Sequence, residues 1–365
     1  MKKTLTLALS LAMTLSLAAC GGGSMGPGKP NPGSASQPQG GGSAVHPPVP
    51  ETVYKVGIIK FMDHASLNQI EDSLQAELDK LGTELGVTFD YAGYTACGQG
   101  DGSTLQAIAA QMISDKVDVI VPIATPAVQT TMATTEDTDI PIIFSAVSYP
   151  AVDGIVASLK APGGKVTGTS DALNTKMVIN LMLAINPDIQ KVGLLYSKSE
   201  NSSAPAIEEA KLLLDSVGIA VEEKTGTNTN EITSAVDALI AAKVDAVFTP
   251  TDNTVQSAEL AIFEKLQEAN IPHYGGADSF ALNGAFCGYG VDYVQLGQET
   301  AQMVADLLVN GADPATTPVR IMTTDHVVIN TETCAAIGMD LDQVKTAFSE
   351  LGINVVETTT QREFS

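Results

Sequence analysis

The sequence contains no Trp, and aromatic residues make up only 5% of its 365 residues. Basic residues are also scarce, because 19 Lys and Arg stand against 42 Asp and Glu, which gives a net charge of −23 at pH 7. A chain this acidic repels phosphate backbones, and no basic run follows Lys3. We therefore exclude nucleic-acid binding. The 44% of hydrophobic residues over this length predicts two domains with their own cores and excludes a wholly disordered chain.

Signatures of catalysis and of metal binding are missing as well. The four His residues, at positions 46, 64, 273 and 326, lie far apart and form no HExxH pair, and no Ser occupies a Gly-x-Ser-x-Gly turn. We expect no enzymatic activity, no metal and no cofactor. Three cysteines follow Cys20 without metal-ligand spacing: Cys97, Cys287 and Cys334. We expect them to be free thiols, and the alternative is a single disulfide, for which Cys287 and Cys334 are a possible pair.

Residues 1–19 are typical of a signal peptide. Lys2 and Lys3 precede an apolar stretch, residues 5–17, which is shorter than the roughly 20 residues that a membrane-spanning helix needs. Small residues then lead to Cys20, an arrangement that resembles the lipobox of bacterial lipoproteins, in which this cysteine is lipidated. An ordinary cleaved signal with an incidental Cys20 is the alternative. Residues 20–51 are rich in Gly, Pro and Ser, so we expect a flexible linker that tethers the folded body to the extracytoplasmic face of the cell membrane.

From residue 53 onward, short β-branched runs alternate with longer amphipathic segments. Residues 56–59 predict a strand, and apolar residues at helical spacing between Leu67 and Leu81 predict the helix that follows. Near-continuous apolar strands that alternate with helices are typical of a parallel sheet covered on both faces. Further strands are expected at 87–91, 117–124, 140–147, 192–196, 219–223, 244–249, 271–275 and 286–290, and further helices at 105–114, 127–134 and 293–309.

The two halves of the chain resemble each other. Residues 116–130 (KVDVIVPIATPAVQT) align without a gap with residues 243–257 (KVDAVFTPTDNTVQS) at a separation of 127. Three shorter matches occur in the same order at nearly equal separations. We interpret this as one architectural unit used twice, with the two copies facing each other across a cleft.

Ligands of open parallel sheets bind beyond the carboxyl ends of the strands, where loops and helix N-termini meet. Applied to both halves, this rule places several strand ends at the cleft, among them the loop 197–202 and Ala277. From these strand ends we take the following candidate ligand-binding residues: Met62, Asp63, His64, Thr125, Pro126, Ser148, Tyr149, Asn201, Ser202, Asp252, Asn253, Thr254 and Asp278.

Five segments carry a resemblance to a known family: 63–67 (DHASL), 123–127 (IATPA), 140–147 (IPIIFSAV), 162–171 (PGGKVTGTSD) and 249–255 (TPTDNTV). In combination they are similar to the solute-binding lipoproteins of ABC importers of the tryptophan/tyrosine-binding type, over about residues 53–351. The resemblance implies capture of a small solute, most simply an aromatic or apolar amino acid, by hinge closure and its delivery to an ABC permease, and we expect a monomer. A nucleoside, peptide or heterocycle as ligand, or a role as a ligand-sensing receptor subunit, are the alternatives.

The fold implied is type I periplasmic-binding-protein-like, an α/β fold with two Rossmann-like lobes and parallel sheets around a central cleft. We expect lobe 1 to comprise residues 52–165 with part of 275–320. Lobe 2 would comprise residues 166–275 with the C-terminal part of 320–365. Chain crossings near Gly164, Ala277 and Val319 would form the hinge.

A zwitterionic amino acid suggests roles for several candidates. Its carboxylate would lie at the N-terminus of the helix that starts near Pro126, beside the Thr125 or Ser148 hydroxyl. Its ammonium requires an anion, for which Asp171, Asp252 and Asp278 are the choices, and its side chain would lie against Met62 and Tyr149.

Three of these residues have a structural alternative: Thr125 and Asp252 could be N-caps alone, and Asp171 could cap the helix at 177–185. Two positions depart from the family pattern, with Tyr149 where the family has Asp and Lys165 where it has Asn.

Overall fold

The computed structural model describes residues 52–362, so the predicted signal peptide, the lipidation site Cys20 and the linker lie outside the described residues. The described strands are β1 (Thr52–Lys60), β2 (Val87–Asp90), β3 (Thr95–Cys97), β4 (Val119–Ile123), β5 (Ile142–Phe144), β6 (Val166–Ser170), β7 (Lys191–Tyr196), β8 (Ala220–Thr225), β9 (Ala246–Thr249), β10 (His273–Gly275), β11 (Cys287–Gly288), β12 (Arg320–Ile321), β13 (His326–Asn330) and β14 (Asn354–Thr358). The described helices are α1 (Ala65–Leu85), α2 (Gly102–Asp115), α3 (Thr125–Thr134), α4 (Thr175–Ile185), α5 (Ser203–Ser216), α6 (Thr229–Ala241), α7 (Asn253–Glu268), α8 (Asp278–Leu282), α9 (Tyr293–Leu308), α10 (Thr331–Ala336) and α11 (Leu341–Glu350).

The strands form two sheets. The first sheet has the order β12-β6-β5-β4-β1-β2, and β3 pairs with the second half of β1, where Ile58 is opposite Thr95. The second sheet has the order β14-β13-β11-β10-β9-β7-β8. All named pairings are parallel except that of β11 with β13. The predicted α/β fold with two mostly parallel sheets is therefore confirmed.

The predicted internal repeat is confirmed by the strand order. Residues 116–130 supply β4 and most of α3, and residues 243–257 supply β9 and the start of α7. Each of these strands is central in its sheet, with β5 and β1 beside β4 and with β10 and β7 beside β9. Because equivalent strands have equivalent neighbours, the loops that follow them occupy equivalent places at the carboxyl edges of the two sheets.

Two helix pairs, α1 with α9 and α2 with α3, pack against the first sheet. The apolar face predicted between Leu67 and Leu81 is the buried face of α1. The helices α1 and α9 approach closely at Gly297, where an added Cβ would lie 2.1 Å from Ser73 Oγ. We call the first sheet with these four helices the first body, and the second sheet with α4 to α8, α10 and α11 the second body.

The chain passes between the two bodies three times, at residues 171–174, 289–292 and 322–325. Each segment lies farther along the chain than the crossings expected near Gly164, Ala277 and Val319. The reason is that β6, β11 and β12 are short strands that still pair within the sheet that precedes each crossing. The first sheet thus extends to Ser170, beyond the boundary expected at residue 165. A cavity of about 100 Å³ lies among the three segments.

Other features bear on the predictions. Cys97, Cys287 and Cys334 carry free thiols, as expected. The Lys165 ammonium donates to the carbonyl oxygens of Thr135 and Thr138, so this departure from the family pattern supports the loop after α3. Between residues 52 and 362, every helix is too short or too polar to cross a membrane.

Candidate functional site

A narrow cavity lies where the carboxyl ends of β1, β4 and β5 meet the loops that follow β9 and β10. Its free volume is about 20 Å³, which is room for about one water molecule, so its walls must separate to admit an amino acid. Seven of the fourteen predicted residues line it: His64, Thr125, Ser148, Asp171, Ser202, Asp252 and Asn253.

The other predicted residues of the first body do not line this cavity. Asp63 is an exposed partner of Lys60, with 2.9 Å between Oδ1 and Nζ. Met62 packs near Gly100, and Pro126 lies in the first turn of α3. Tyr149 is partly buried, and burial together with the Glu209 carboxylate raises the pKa of its phenol to about 12. Contact of these residues with a ligand stays a prediction.

In the second body, Asn201, Thr254 and Asp278 also lie outside the cavity lining. Asn201 is exposed in the turn before α5, and Asp278 is the first residue of α8. The Thr254 hydroxyl donates to Glu200 Oε1 at 2.7 Å, so it belongs to the support of α7. Their proposed ligand contacts likewise remain untested.

Ala124, and not Thr125, is the N-cap residue of α3, so the interpretation of Thr125 as an N-cap is wrong. Ala124 has φ 79° and ψ 149°, a conformation that is almost restricted to glycine, and Ala146 after β5 has φ 56°. Because alanine has no side chain to cap the helix, the first N–H groups of α3 keep their hydrogen-bonding capacity. The N-terminus of α1 is similar, since His64 makes no side-chain capping bond.

Asp252 is the N-cap of α7, which confirms the structural alternative given for this residue. Its Oδ1 accepts from the Val255 N–H at 2.9 Å, and its Oδ2 accepts from the Ser197 N–H and the Ser203 hydroxyl, both at 2.7 Å. Burial and the neighbouring Glu200 carboxylate raise the pKa of Asp252. Both oxygens are therefore used within the second body.

Glu200 is a second carboxylate at the same helix terminus; it lies in the loop 197–202 that the sequence places at the cleft, but its role as a partner of α7 was not predicted. It is 3% exposed and accepts bonds from the backbone and side chain of both Asn253 and Thr254. It lies 53 residues before Asn253 in the chain, so no local pattern indicates this role.

Asp171 lies at the first crossing segment and is 5% exposed. Its Oδ1 accepts from the Ser148 hydroxyl at 2.8 Å, and its Oδ2 accepts from the Tyr293 hydroxyl at 3.2 Å. No basic side chain pairs with it in the described part of the chain, and burial raises the pKa of its carboxyl. The helix α4 is capped by Asn174, so the interpretation of Asp171 as a cap is wrong.

Three hydrogen bonds cross the cavity from the first body to the second. His64 Nε2 lies 2.9 Å from Asn253 Oδ1, and the Ser148 hydroxyl lies 3.0 Å from the Thr251 hydroxyl. The hydroxyls of Ser66 and Ser279 form the third bond. The two walls of the cavity are thus held together by neutral polar groups.

Nine lining residues are not among the fourteen candidate ligand-binding residues, although Ala277 lies at a strand end that the sequence places at the cleft: Ser66, Leu67, Ala124, Ala146, Thr251, Gln256, Ala277, Phe280 and Tyr293. Five of the nine lie within the segments that carry the family resemblance: Ser66, Leu67, Ala124, Ala146 and Thr251. Tyr293 gave no signal, because it opens a helix 122 residues after Asp171. Among residues 52–362, no group of three or more His, Cys, Asp and Glu side chains could hold a metal ion.

A family match, a related sequence and solved structures all relate this chain to substrate-binding proteins. Residues 55–347 match the family described as ABC transporter substrate binding protein. A tyrosine-binding protein from Clostridioides difficile (strain R20291) is 30% identical over 78% of this chain and 81% of the relative. An ABC domain from Streptococcus pneumonia, solved in complex with L-Trp, has a TM-score of 0.75 and 31% identity over 84% of this chain and all of that one.

A second solved structure has a similar identity but a lower structural similarity. This is the ligand-free, open structure of a substrate-binding protein with adhesive properties from Clostridium difficile, which is 29% identical. It covers 84% of this chain and 100% of that chain with a TM-score of 0.62.

Proposed function

Because the chain belongs to the family of ABC transporter substrate-binding proteins, we propose that it captures an aromatic amino acid between its two bodies and delivers it to a membrane permease. A substrate-binding protein of this kind acts outside the cytoplasm. The proposal adds that residues 1–19 are a signal peptide and that lipidated Cys20 anchors the protein to the membrane. Replacing Cys20 with Ser should release the protein from the membrane fraction into the medium, and retention would contradict the anchor.

The two bodies act as lobes that close over the ligand by bending at the three crossing segments. Three observations support this: the number of crossings, the hydrogen bonds across the cavity, and the small free volume between the walls. The TM-score is 0.75 against the L-Trp complex and 0.62 against the open structure, at nearly equal identity. This difference supports a closed arrangement of the two bodies in the described structure.

The ligand carboxylate binds at the N-terminus of α3. An uncapped helix terminus carries free N–H donors and partial positive charge, which together favour an anion. The Thr125 side chain, which is 3% exposed and lines the cavity, adds a hydroxyl donor. The equivalent terminus in the second body, that of α7, is already occupied by the carboxylates of Asp252 and Glu200. The ligand carboxylate is therefore directed to the first body.

The ligand ammonium binds Asp171. This is the observation that carries the proposal, because a buried carboxylate with only neutral hydroxyl donors has no compensating charge. Asp252 is the weaker choice, since three donors of its own body already bind its two oxygens. Leu67, Phe280 and Tyr293 supply the apolar and aromatic surface against which a ring can pack.

Fluorescence and calorimetry with residues 51–365, which contain every described element, test this function. Since the chain has no Trp, bound L-tryptophan would be seen without any protein tryptophan background. We expect saturable binding and a dose-dependent rise of the unfolding midpoint with free aromatic amino acids. N-acetyl-L-tryptophan and L-tryptophanamide, which lack the ammonium and the carboxylate respectively, are the matched controls. Equal binding of these derivatives, or no binding of any aromatic amino acid, would contradict the proposal.

A further inference from the structure

Two buried polar atoms that belong to the cavity lining residues have no hydrogen-bond partner. One is Nδ1 of His64, which precedes α1 in the first body, and the other is Oγ of Ser202, which precedes α5 in the second body. Ser202 is 3% exposed. Because leaving a buried polar atom without a hydrogen-bond partner is unfavourable, such atoms point to a group that a ligand would supply.

The hydrogen-bond network determines which proton His64 carries. The Glu200 carboxylate can only accept, and it lies 2.6 Å from Asn253 Nδ2, so the amide nitrogen of Asn253 faces Glu200. The amide oxygen then faces His64 Nε2 at 2.9 Å, and it too can only accept. His64 therefore donates through Nε2–H, and its Nδ1 is an acceptor in the neutral ring.

The surroundings keep the ring neutral. Burial lowers the pKa of His64 to about 4, and the nearby Lys60 ammonium contributes in the same direction against the opposing effect of Asp63. A position that disfavours a positive charge on the ring also disfavours a ligand ammonium beside Nδ1. The partner of this acceptor is thus a neutral donor, such as a side-chain O–H or N–H, while the ammonium stays with Asp171.

Resting on the proposed function, we infer that His64 and Ser202 recognise a polar group on the aromatic side chain of the ligand, with a phenol hydroxyl as the best fit. A phenol hydroxyl can donate a hydrogen bond to His64 Nδ1 and accept one from the Ser202 hydroxyl. A single group would thus give a hydrogen-bond partner to one unpaired atom from each body. An indole N–H can donate to His64 Nδ1 but cannot accept from Ser202, and a phenyl ring forms neither hydrogen bond. The contact thereby selects among aromatic amino acids and also links the two walls across the ligand.

The affinities of L-tyrosine and L-phenylalanine, measured by calorimetry with residues 51–365, test this assignment. We expect the unaltered protein to prefer tyrosine by about ten- to a hundredfold, since a missing ligand hydroxyl leaves both atoms unpaired. His64→Gln keeps an amide near the Nε2 position to bind Asn253 but removes the acceptor at Nδ1, so the preference should fall below about threefold. His64→Asn retains an acceptor near the Nδ1 position and should keep much of the preference.

Ser202→Ala should lower the tyrosine affinity while leaving the phenylalanine affinity nearly unchanged. Ser216→Ala, which removes an exposed hydroxyl at the C-terminal end of α5 and outside the cavity lining, is the matched control and should leave both affinities as they are. An unchanged ratio in His64→Gln or in Ser202→Ala overturns the assignment of that atom. If the unaltered protein binds both amino acids equally, this inference fails and the proposed function stands, whereas binding of neither overturns both.

Discussion

The hydroxyl of Tyr293 donates a hydrogen bond of 3.2 Å to Oδ2 of Asp171. Asp171 begins the first crossing segment and Tyr293 follows directly on the second, so this bond joins two of the three connections between the bodies. Both residues also line the cavity. In the proposed closure, a ligand that binds Asp171 therefore acts on two of the segments that bend.

Asp171→Asn should abolish most of the ligand affinity. The amide retains a hydrogen-bonding side chain of the same shape but loses the charge that binds the ligand ammonium, and loss of one partner of a buried charge pair costs about 2–5 kcal/mol. Calorimetry with L-tryptophan measures the change. Asp153→Asn is the matched control, because burial also raises the pKa of Asp153 but this residue does not line the cavity. An affinity within threefold of the unaltered protein would rule out Asp171 as the ammonium partner.

Ligand affinity should fall as the pH falls through the raised pKa of Asp171. Burial favours the protonated carboxyl in the free protein, whereas the ligand ammonium requires the ionised form, so binding in this pH range releases a proton. Calorimetry in acetate and in MES, which both take up protons in the acidic range but differ in ionisation enthalpy, measures the number of protons released. The Asp171→Asn variant should release none at this position. Identical binding heats in both buffers across the acidic range would speak against the coupling.

Much of the fold could be predicted because the decisive signals are local or repeated. The apolar runs of β1 and β4 and the matched segments 116–130 and 243–257 fix the central strands and their order. The short strands β3, β6 and β12 escaped prediction, since two to five residues without a long apolar run give no periodic signal. Of these, β6 and β12 directly precede the first and third crossings and move both beyond their expected positions.

The candidate site was predicted only in part, because some of its residues follow from local signals and others do not. Residues directly after central strands, such as Thr125 and Asp252, follow from the rule that loops meet at the carboxyl edge. Glu200 and Tyr293 acquire their roles only through contacts with residues 53 or more positions away, which no local pattern encodes. Phe280 lies in a five-residue helix, too short to be recognised from periodicity.

Asp278→Asn should stabilise the free protein at neutral pH. Burial is the main cause that raises the pKa of Asp278 to about 7, from a model-compound value of 3.8, so the folded state holds its proton more tightly than the unfolded state does. Stability is then lost as the pH rises from about 4 to about 7, by an amount on the order of 2–4 kcal/mol. Urea unfolding at several pH values should show the variant to be more stable at pH 7.5 and the difference to vanish toward pH 4. A constant difference would contradict the shifted pKa.

Ala124→Gly should separate stability from ligand affinity. Alanine at φ 79° and ψ 149° occupies a conformation that costs about 1–3 kcal/mol and that glycine adopts freely. Relief of this strain outweighs the added chain entropy of the unfolded state, about 0.4–1 kcal/mol, so the unfolding midpoint should rise. Glycine also loosens the backbone that orients the first N–H groups of α3, so the affinity for the ligand carboxylate should fall. Ala124→Val, with a β-branched side chain at positive φ, should lower the midpoint. If the Ala124→Gly variant shows neither a higher unfolding midpoint nor a lower ligand affinity, the strained residue does not position the helix terminus.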